Sequence, residues 1–299
     1  MNGLNITICG CGNGAHACAA LLSKQGHVVS IYSPITNEIE LFKANYEKSN
    51  GLTLRIGVGL LAVLGKGADS DLKESHPREE IFEGIKVNKV TDKAEEVIPG
   101  ASVIIVIAPS FAHRNILNCI KKHVSKNCLI VFLPSRGGIE FEADSIIPNS
   151  NIVAFQTLPW ACRIKTFGSE IIVSGIKNKI QAATLPGDIS PVFIYELEQL
   201  LGLKIERLKS IFTLTLANIG QIFHPGIMYG IFKDNPEATF KEEDIPLFYQ
   251  NVNEEVADTL SNMSEEIRSV ARELSKIYED IECDKVLHIR DWLIGAYEG

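Results

Sequence analysis

The sequence predicts an α/β protein in which a doubly wound parallel sheet is followed by a mostly helical second domain. Three observations predict this fold. At the start of the chain a short apolar strand passes through a glycine-rich turn directly into a helix. Continuous apolar runs then alternate with helical patterns, as in a parallel sheet covered on both faces. Beyond residue 205 helical periodicity replaces the strand-like runs. We therefore expect one domain over residues 1–205 and a second over residues 206–299.

Bulk composition describes a folded protein and excludes several classes of function. Of the 299 residues, 45% are hydrophobic and 22% are charged, as in ordinary globular domains. The formal net charge of −8 leaves no basic surface for nucleic acid. The apolar runs are far shorter than a membrane span, so we expect no membrane partner. The seven cysteines lack metal-ligand spacing; we expect no metal and interpret them as small buried residues in a reducing cytoplasm.

The first strand and helix enclose a nucleotide-binding motif. Residues 5–9 are followed by G-x-G-x-x-A and a helical pattern. Gly10 permits the tight turn, Gly12 lets the backbone approach a pyrophosphate, and Ala15 allows close helix–strand packing. The phosphates would lie at the positive end of the helix. The motif predicts a Rossmann-type domain with cofactor-binding residues Gly10, Cys11, Gly12, Asn13, Gly14 and Ala15; the alternative is a glycine-rich turn without a ligand.

The second strand leaves the choice of dinucleotide open. Residues 26–33 form a buried strand in this interpretation, and NAD-binding proteins place an acid at its end for the ribose hydroxyls. This chain has Ser33 and Pro34 there, and neither Arg nor Lys follows at once to hold a 2′-phosphate. We therefore expect NAD(H) or NADP(H) as cofactor.

The elements that follow alternate between helix and strand. Residues 35–48 have one apolar helical face. The segment 51–80, punctuated by glycines, predicts short hairpin-like strands and a mobile loop. The remaining predictions for this domain are a central strand at 103–108, a helix around 116–124, strands at 128–133, 152–155 and 170–174, and a loop at 156–163.

The pattern beyond residue 210 is helical. Residues 254–278 carry apolar side chains at helical spacing, and Asn253 with the acids Glu254 and Glu255 marks a helix start. Residues 208–223 are apolar, and Pro225 predicts that the helix kinks or ends there. His224, beside this break, is either a core histidine bonded to a backbone carbonyl or a residue that exchanges protons in a cleft.

Ligands of open α/β sheets bind beyond the carboxyl ends of the strands. Pro and Ser residues at two such ends and a cluster in the loop at 156–163 are therefore candidates, although ordinary turns favour the same residue types. Arg163 is either a ligand for a carboxylate or a surface ion-pair partner. His113 has the same ambiguity as His224, and His16 is interpreted as only beginning the first helix. Further cofactor candidates are Pro109 and Ser110; substrate candidates are His113, Ser135, Arg136, Thr157, Cys162 and Arg163.

Several islands along almost the whole chain resemble the octopine/nopaline dehydrogenase family, the opine dehydrogenases. The resemblance is carried by Cys9-Gly10-Cys11-Gly12-Asn13-Gly14-Ala15-His16, Phe111-Ala112-His113, Leu133-Pro134-Ser135, Thr157-Leu158-Pro159-Trp160-Ala161-Cys162-Arg163, His224-Pro225 and Pro246-Leu247-Phe248-Tyr249-Gln250. It implies an NAD(P)H-dependent reductive condensation of an α-keto acid with the amino group of an amino acid, and the reverse oxidation.

The resemblance also implies roles for individual residues. His224 would be the catalytic residue that donates and accepts the proton, and Thr157 and Cys162 would line the substrate pocket. Arg136 or Arg163 would hold a substrate carboxylate. The family's helical domain continues beyond the length of this chain, so we expect the second domain to be incomplete relative to the family. The apolar surface that an unfinished helical domain would expose predicts a homodimer. The acids offered near the histidine as its carboxylate partner are Asp234, Glu242 and Asp244.

Two other classes remain as alternatives. One is another two-domain reductase, of the 2-hydroxyacid or ketopantoate type, for which the sequence offers no identifiable catalytic lysine. The other is a protein that binds NAD(P) without catalysis.

Overall fold

The computed structural model describes residues 3–57, 79–135, 138–187 and 190–297. The chain divides into two compact units, Met1–Arg207 and Leu208–Gly299. In the described part of the chain no helix is both long enough and apolar enough to cross a bilayer.

The first unit alternates strands and helices. Its elements are β1 (Asn5–Cys9), α1 (Asn13–Lys24), β2 (Val28–Tyr32), α2 (Thr36–Lys48), β3 (Leu52–Gly57), β4 (Glu79–Ile85), β5 (Lys89–Thr91), β6 (Val103–Val106), α3 (Ser110–Ile120), β7 (Leu129–Phe132), α4 (Ile139–Ile146), β8 (Asn151–Phe155), β9 (Trp160–Thr166), β10 (Glu170–Ile176), β11 (Lys179–Leu185), α5 (Pro191–Leu201) and β12 (Lys204–Arg207).

The larger sheet has the strand order β12-β11-β8-β7-β6-β1-β2-β5. Its neighbouring strands are parallel except for the antiparallel pair β8 and β11. The chain leaves β1 towards β2 on one side and returns to β6 on the other, so the order reverses at β1. β6 and β7 are buried along their whole length, as their apolar runs predict. The predicted doubly wound α/β fold is confirmed.

Helix α1 is buried from Gly14 to Leu22. A helix buried all round must present small side chains to its neighbours, and this segment contains Ala15, Ala17, Cys18, Ala19 and Ala20. These side chains allow α1 to pack between the larger sheet and a second sheet in the core. The glycine-rich turn therefore leads into a helix with little freedom to move.

The second sheet has the order β4-β3-β10-β9, and it corrects one prediction. Residues 160–163, interpreted as part of the loop at 156–163, instead begin β9, which pairs antiparallel with β10. The missed signal is the alternation of Trp160, Cys162 and Ile164, whose side chains pack on the core. The predicted hairpin-like strands correspond to the antiparallel pair of β3 and β4, whereas the mobile loop expected between them falls on residues 58–78, outside the described residues.

The second unit is helical in its described part. Its helices are α6 (Ile211–Leu216), α7 (Gly220–Phe232), α8 (Glu254–Ser275) and α9 (Ile289–Tyr297). Asn253 caps α8 as predicted, since its side chain accepts a hydrogen bond of 2.9 Å from the Val256 N–H.

Helix α7 continues seven residues beyond Pro225, so of the two predicted alternatives, a kink or an end of the helix, the end is ruled out. Proline at this position removes one intrahelical hydrogen bond and costs roughly 3 kcal/mol. Close packing of α7 on α8 offsets that cost, because Gly226 and Gly230 bring the α7 backbone against Leu260 and Val256.

Candidate active site

The turn between β1 and α1 has the geometry of a phosphate cradle. Gly10 has φ +135°, and a Cβ here would lie 2.0 Å from the Ile107 carbonyl oxygen, so only glycine fits. Gly12 is exposed, has open space where its Cβ would be, and precedes α1 without a side-chain cap. A pyrophosphate therefore has room to approach Gly12 and the first N–H groups of α1. These residues fit a dinucleotide.

The other residues of the turn hold this cradle in place. A Cβ at Gly14 would lie 3.0 Å from Leu158 Cδ2, and Ala15 is buried in the core. Burial, and secondarily the charge of Glu38, raises the pKa of the Cys11 thiol to about 12. Cys11 therefore contributes its backbone to the turn and no reactive thiolate.

The sheet topology brings several candidates to one edge. Strands β1, β6, β7 and β8 are parallel neighbours, so their carboxyl ends lie side by side. Directly after these ends come the glycine turn, the exposed pair Pro109 and Ser110, and the candidates Ser135 and Thr157. Arg136, the candidate carboxylate ligand next to Ser135, lies outside the described residues.

His113 is fully buried, so the structure places it beneath this edge. Its Nε2 lies 2.9 Å from the Ala108 carbonyl oxygen and donates to it, because a carbonyl only accepts. Within the described part of the chain its Nδ1 has no hydrogen-bond partner, and burial lowers the pKa of the ring. The ring packs against Phe132. A contact between His113 and substrate remains a prediction.

Ser135 leads to an acid that sequence reasoning missed. Its hydroxyl donates to Glu140 Oε2 at 3.3 Å, and Glu140 is only 2% exposed. Burial raises the pKa of this carboxyl group. The signal was present in the sequence, because Glu140 stands on the apolar face of α4 between the buried Ile139 and Ala143.

The segment from Thr157 to Arg163 adjoins the glycine turn. The Ile164 N–H, in β9, donates to Asn13 Oδ1 at 2.7 Å, which places Cys162 two residues from this bond. Cys162 is half-buried and Arg163 is exposed. Burial raises the pKa of the Cys162 thiol to about 11, against the lowering effect of Arg163 and Lys177.

Lys177 is a second residue that sequence reasoning missed. It is 6% exposed, and its Nζ donates to the Leu158 carbonyl oxygen at 2.7 Å. Burial lowers its pKa to about 8. Because Leu158 follows Thr157, this ammonium group fixes the backbone where the substrate candidates begin. The sequence places Lys177 between two strands, where a lysine is ordinarily exposed, and offers no sign of its burial.

The second unit holds His224 on α7. The side chain is exposed, its Nδ1 lies 3.1 Å from the Gly220 carbonyl oxygen, and its ring centroid lies 5.9 Å from that of Phe248. A carbonyl accepts only, so Nδ1 carries a proton and Nε2 keeps its lone pair in the neutral ring. The bond to Gly220 therefore orients the ring, and its exposure is not the geometry of a core histidine.

The carboxylate partner of His224 stays a prediction. Asp234 and Asp244 are exposed, and the side chain of Glu242 lies outside the described part of the chain. The described residues contain no cluster of His, Cys, Asp and Glu that could hold a metal ion.

Comparison with known proteins adds the family. The family model described as NAD/NADP octopine/nopaline dehydrogenase, alpha-helical domain, matches residues 207–299. The octopine dehydrogenase of Pecten maximus is 30% identical over 306 residues, which cover 98% of this chain and 70% of the relative. The tauropine dehydrogenase of Arabella iricolor is 27% identical over 302 residues, covering 98% and 71%.

A solved structure agrees with these relatives. An octopine dehydrogenase in complex with NADH and agmatine is 26% identical and has a TM-score of 0.78; the match covers 99% of this chain and 70% of that chain. The glycine turn thus stands in a chain whose similarity to these dehydrogenases extends through both units. The chain belongs to the octopine/nopaline dehydrogenase family and is an NAD(P)-dependent oxidoreductase of the opine type.

Proposed function

We propose that this protein joins an α-keto acid to the amino group of an amino acid, with loss of water, and reduces the resulting C=N bond at the expense of NAD(P)H. The open cradle at Gly12 carries this proposal, because it offers backbone N–H groups and space to a pyrophosphate. The Met1–Arg207 unit would hold the cofactor, with Pro109 and Ser110 beside the glycine turn. The Leu208–Gly299 unit would supply His224.

The chain's own residues perform the proton transfers in this proposal. When bound, the cofactor supplies the hydride. His224 holds a proton at Nε2 and releases it to the reacting nitrogen or oxygen, while Gly220 holds Nδ1. In the oxidative direction the neutral Nε2 accepts the proton. Thr157 and Cys162 contact the substrate, and Arg163 or Arg136 pairs with a carboxylate through its planar guanidinium group. Ser135 completes the proposed set of substrate residues, and His113 joins it only through the Ala108 carbonyl oxygen that it holds, because its ring is fully buried.

Glu38 favours NAD(H) over NADP(H) in our proposal. Ser33, which stands where an acid usually follows β2, donates to Glu38 Oε2 at 3.0 Å, so a carboxylate from α2 reaches the place of the missing acid. A carboxylate there accepts hydrogen bonds from ribose hydroxyls and repels a 2′-phosphate. At the start of α2 the hydrogen bond from Thr36 lowers the pKa of the Asp92 carboxyl group, and the charges of Lys43 and Lys93 lower it further.

An absorbance assay tests the activity. The purified 299-residue protein is mixed with NADH or NADPH and a panel of α-keto acids, with and without a panel of amino acids. Oxidation of the cofactor that requires both substrates is the expected result. Oxidation by a keto acid alone would instead indicate a hydroxyacid-type reductase, and binding without turnover in every combination would indicate a protein that only binds the nucleotide.

We further propose a cytoplasmic homodimer. All seven cysteines are free thiols, as the reducing cytoplasm favours. In the second unit Ile245, Leu247 and Tyr249 are each more than half exposed, and exposed apolar side chains favour association. Sedimentation analysis of the purified protein tests the dimer, and a single monomeric species at micromolar concentration would contradict it.

A further inference from the structure

Both ring nitrogens of His16 are engaged with backbone groups. Nδ1 lies 3.0 Å from the Gly12 carbonyl oxygen, and Nε2 accepts a hydrogen bond of 2.9 Å from the Gly168 N–H. The Gly12 oxygen also accepts from the His16 N–H at 3.1 Å. Because the carbonyl can only accept and the N–H can only donate, the ring is held as the neutral tautomer with its proton on Nδ1.

The surroundings of His16 hold the ring in this state. It is fully buried and lies between Phe42 and Phe167, with ring centroids at 4.9 Å and 5.1 Å. Burial lowers its pKa to about 4. Gly168, in the turn between β9 and β10, has φ +73°, and a Cβ there would lie 2.6 Å from the Phe42 carbonyl oxygen. The N–H that His16 binds is thus itself in a fixed place.

The bond to Gly12 controls the direction of an N–H group at the cradle. The Gly12 carbonyl and the Asn13 N–H belong to one planar peptide and point in opposite directions. Two donors hold the carbonyl towards the body of α1, so the Asn13 N–H points out from the helix N-terminus, where a pyrophosphate would bind.

The bond to Gly168 ties the same turn to the hairpin of β9 and β10. A second link runs parallel to it, from the Ile164 N–H to Asn13 Oδ1 at 2.7 Å. Cys162 and Arg163 lie in β9 immediately before Ile164, the residue that makes the second link. The backbone that carries two substrate candidates is therefore bonded to the first turn of the helix that carries the phosphate cradle.

We infer that His16 is a positioning residue that couples the two halves of the site: Nδ1 sets the peptide that meets the cofactor phosphates, and Nε2 holds the hairpin that carries Cys162 and Arg163. This inference rests on the proposed cofactor site at Gly12. His16 touches neither cofactor nor substrate, and it acts through Gly12 and Gly168.

Two substitutions separate the two bonds. His16→Asn places an amide near the position of Nδ1, so it keeps a donor for Gly12 and removes the acceptor for Gly168. His16→Gln places an amide near Nε2, so it keeps the acceptor for Gly168 and removes the donor for Gly12. For each variant we would measure the melting temperature, the Kd for NADH by fluorescence titration, and the KM for each substrate at saturating NADH.

The expected results differ between the two variants. His16→Gln should raise the Kd for NADH about tenfold and leave kcat at saturating NADH nearly unchanged. The reason is that the hydrogen bond between neutral groups at the Gly12 carbonyl is lost. His16→Asn should raise a substrate KM about tenfold and leave the Kd for NADH within about threefold of wild type. His27→Asn is the matched control. His27 also bonds to a backbone group, the Leu4 N–H, but it lies at the amino ends of β1 and β2, away from the cradle.

Folded His16 variants with wild-type Kd and KM values would overturn the inference. It would also be overturned if both variants changed Kd and KM alike, or if His27→Asn changed them as much. If both variants unfold, imidazole NMR of the wild-type protein decides the question: NADH must shift the Nδ1–H resonance of His16, and an unchanged resonance would refute the coupling. Gly12→Val tests the proposed cofactor site separately, because its side chain enters open space. If Gly12→Val binds NADH normally, the cofactor site is wrong; if only the His16 results fail, the coupling alone is wrong.

Discussion

The backbone of Gly10 lies directly against the carbonyl group of Ile107: a Cβ on Gly10 would stand 2.0 Å from that oxygen. The turn after β1 and the turn after β6 therefore touch through main chain alone. Gly10 N–H also donates to the Tyr32 carbonyl oxygen at 2.8 Å, so the residue joins the ends of three neighbouring strands at the edge where the cofactor candidates lie.

We predict that Gly10→Ala destabilises the fold by at least about 3 kcal/mol, because it adds a clash with main chain to the strain of a positive φ. Gly26→Ala is the matched control. Gly26 has φ +89° but open space where its Cβ would be, so it should lose only about 1–2 kcal/mol. Urea unfolding of both variants measures the difference, and equal losses would show that the contact with Ile107 has no part in the effect.

His224→Asn should lower kcat by a factor of about 10²–10⁴ and leave the Kd for NADH unchanged, since the amide retains a donor for Gly220 but has no group that exchanges a proton. His288→Asn serves as control, because His288 bonds to Ser261 and to the Arg290 N–H in the same unit. Stopped-flow and steady-state kinetics give the comparison. A His224→Asn enzyme with wild-type kcat would show that His224 does not transfer the proton.

Glu38→Gln should raise the Kd for NADH about tenfold, because a charge-assisted hydrogen bond to a ribose hydroxyl is lost. It should also lower the Kd for NADPH, because the repulsion between the carboxylate and the 2′-phosphate disappears. Glu40→Gln removes an equal charge from an exposed position of α2 and should change the Kd for neither cofactor. The ratio of kcat/KM for NADH and NADPH reports the change, and an unchanged ratio in Glu38→Gln would assign selectivity to other residues.

Acid should destabilise the first unit through His16. Burial lowers the pKa of His16 from 6.5 to about 4, so between these values the unfolded chain binds a proton that the folded chain excludes. The stabilisation is complete above pH 6.5, declines as the pH falls, and by pH 4 has lost roughly 3 kcal/mol. His16→Asn lacks this titration. Urea unfolding at pH 7 and pH 4 should show a smaller difference for the variant, and equal differences would contradict the prediction.

Two glycines of the helical unit should respond oppositely to alanine. A Cβ at Gly230 would lie 2.2 Å from Cγ2 of Val256, a stiff β-branched side chain, so overpacking of about 1–3 kcal/mol should exceed the helix propensity gained. Gly295, in α9, has open space around it. Gly295→Ala should therefore stabilise the unit by about 0.5–1 kcal/mol. Thermal melts of both variants test the contrast, which fails if both change stability in the same direction.

Local patterns predicted most of the large sheet and the first turn of the site. The apolar run that contains β6 and the glycine motif before α1 depend on neighbours in sequence, so periodicity and steric rules suffice to recognise them. The strand β9 was missed although Trp160, Cys162 and Ile164 alternate, because the crowding of Trp, Cys and Arg suggested a loop. The choice between a kink and an end of α7 at Pro225 could not be made from the sequence, since packing against Val256 and Leu260 outweighs a local preference.

The amino-acid order alone predicted the fold class and the glycine turn before α1, because both depend on residue types at short and regular spacing. It left the role of His224 open, and the family resemblance made that residue the catalytic candidate. Only the tertiary structure decided what His16, Glu38, Glu140 and Lys177 contact. Their partners are backbone or hydroxyl groups, which carry little or no sequence signature. Three of these four are almost wholly buried, and a buried polar group is stable only where folding brings it a partner.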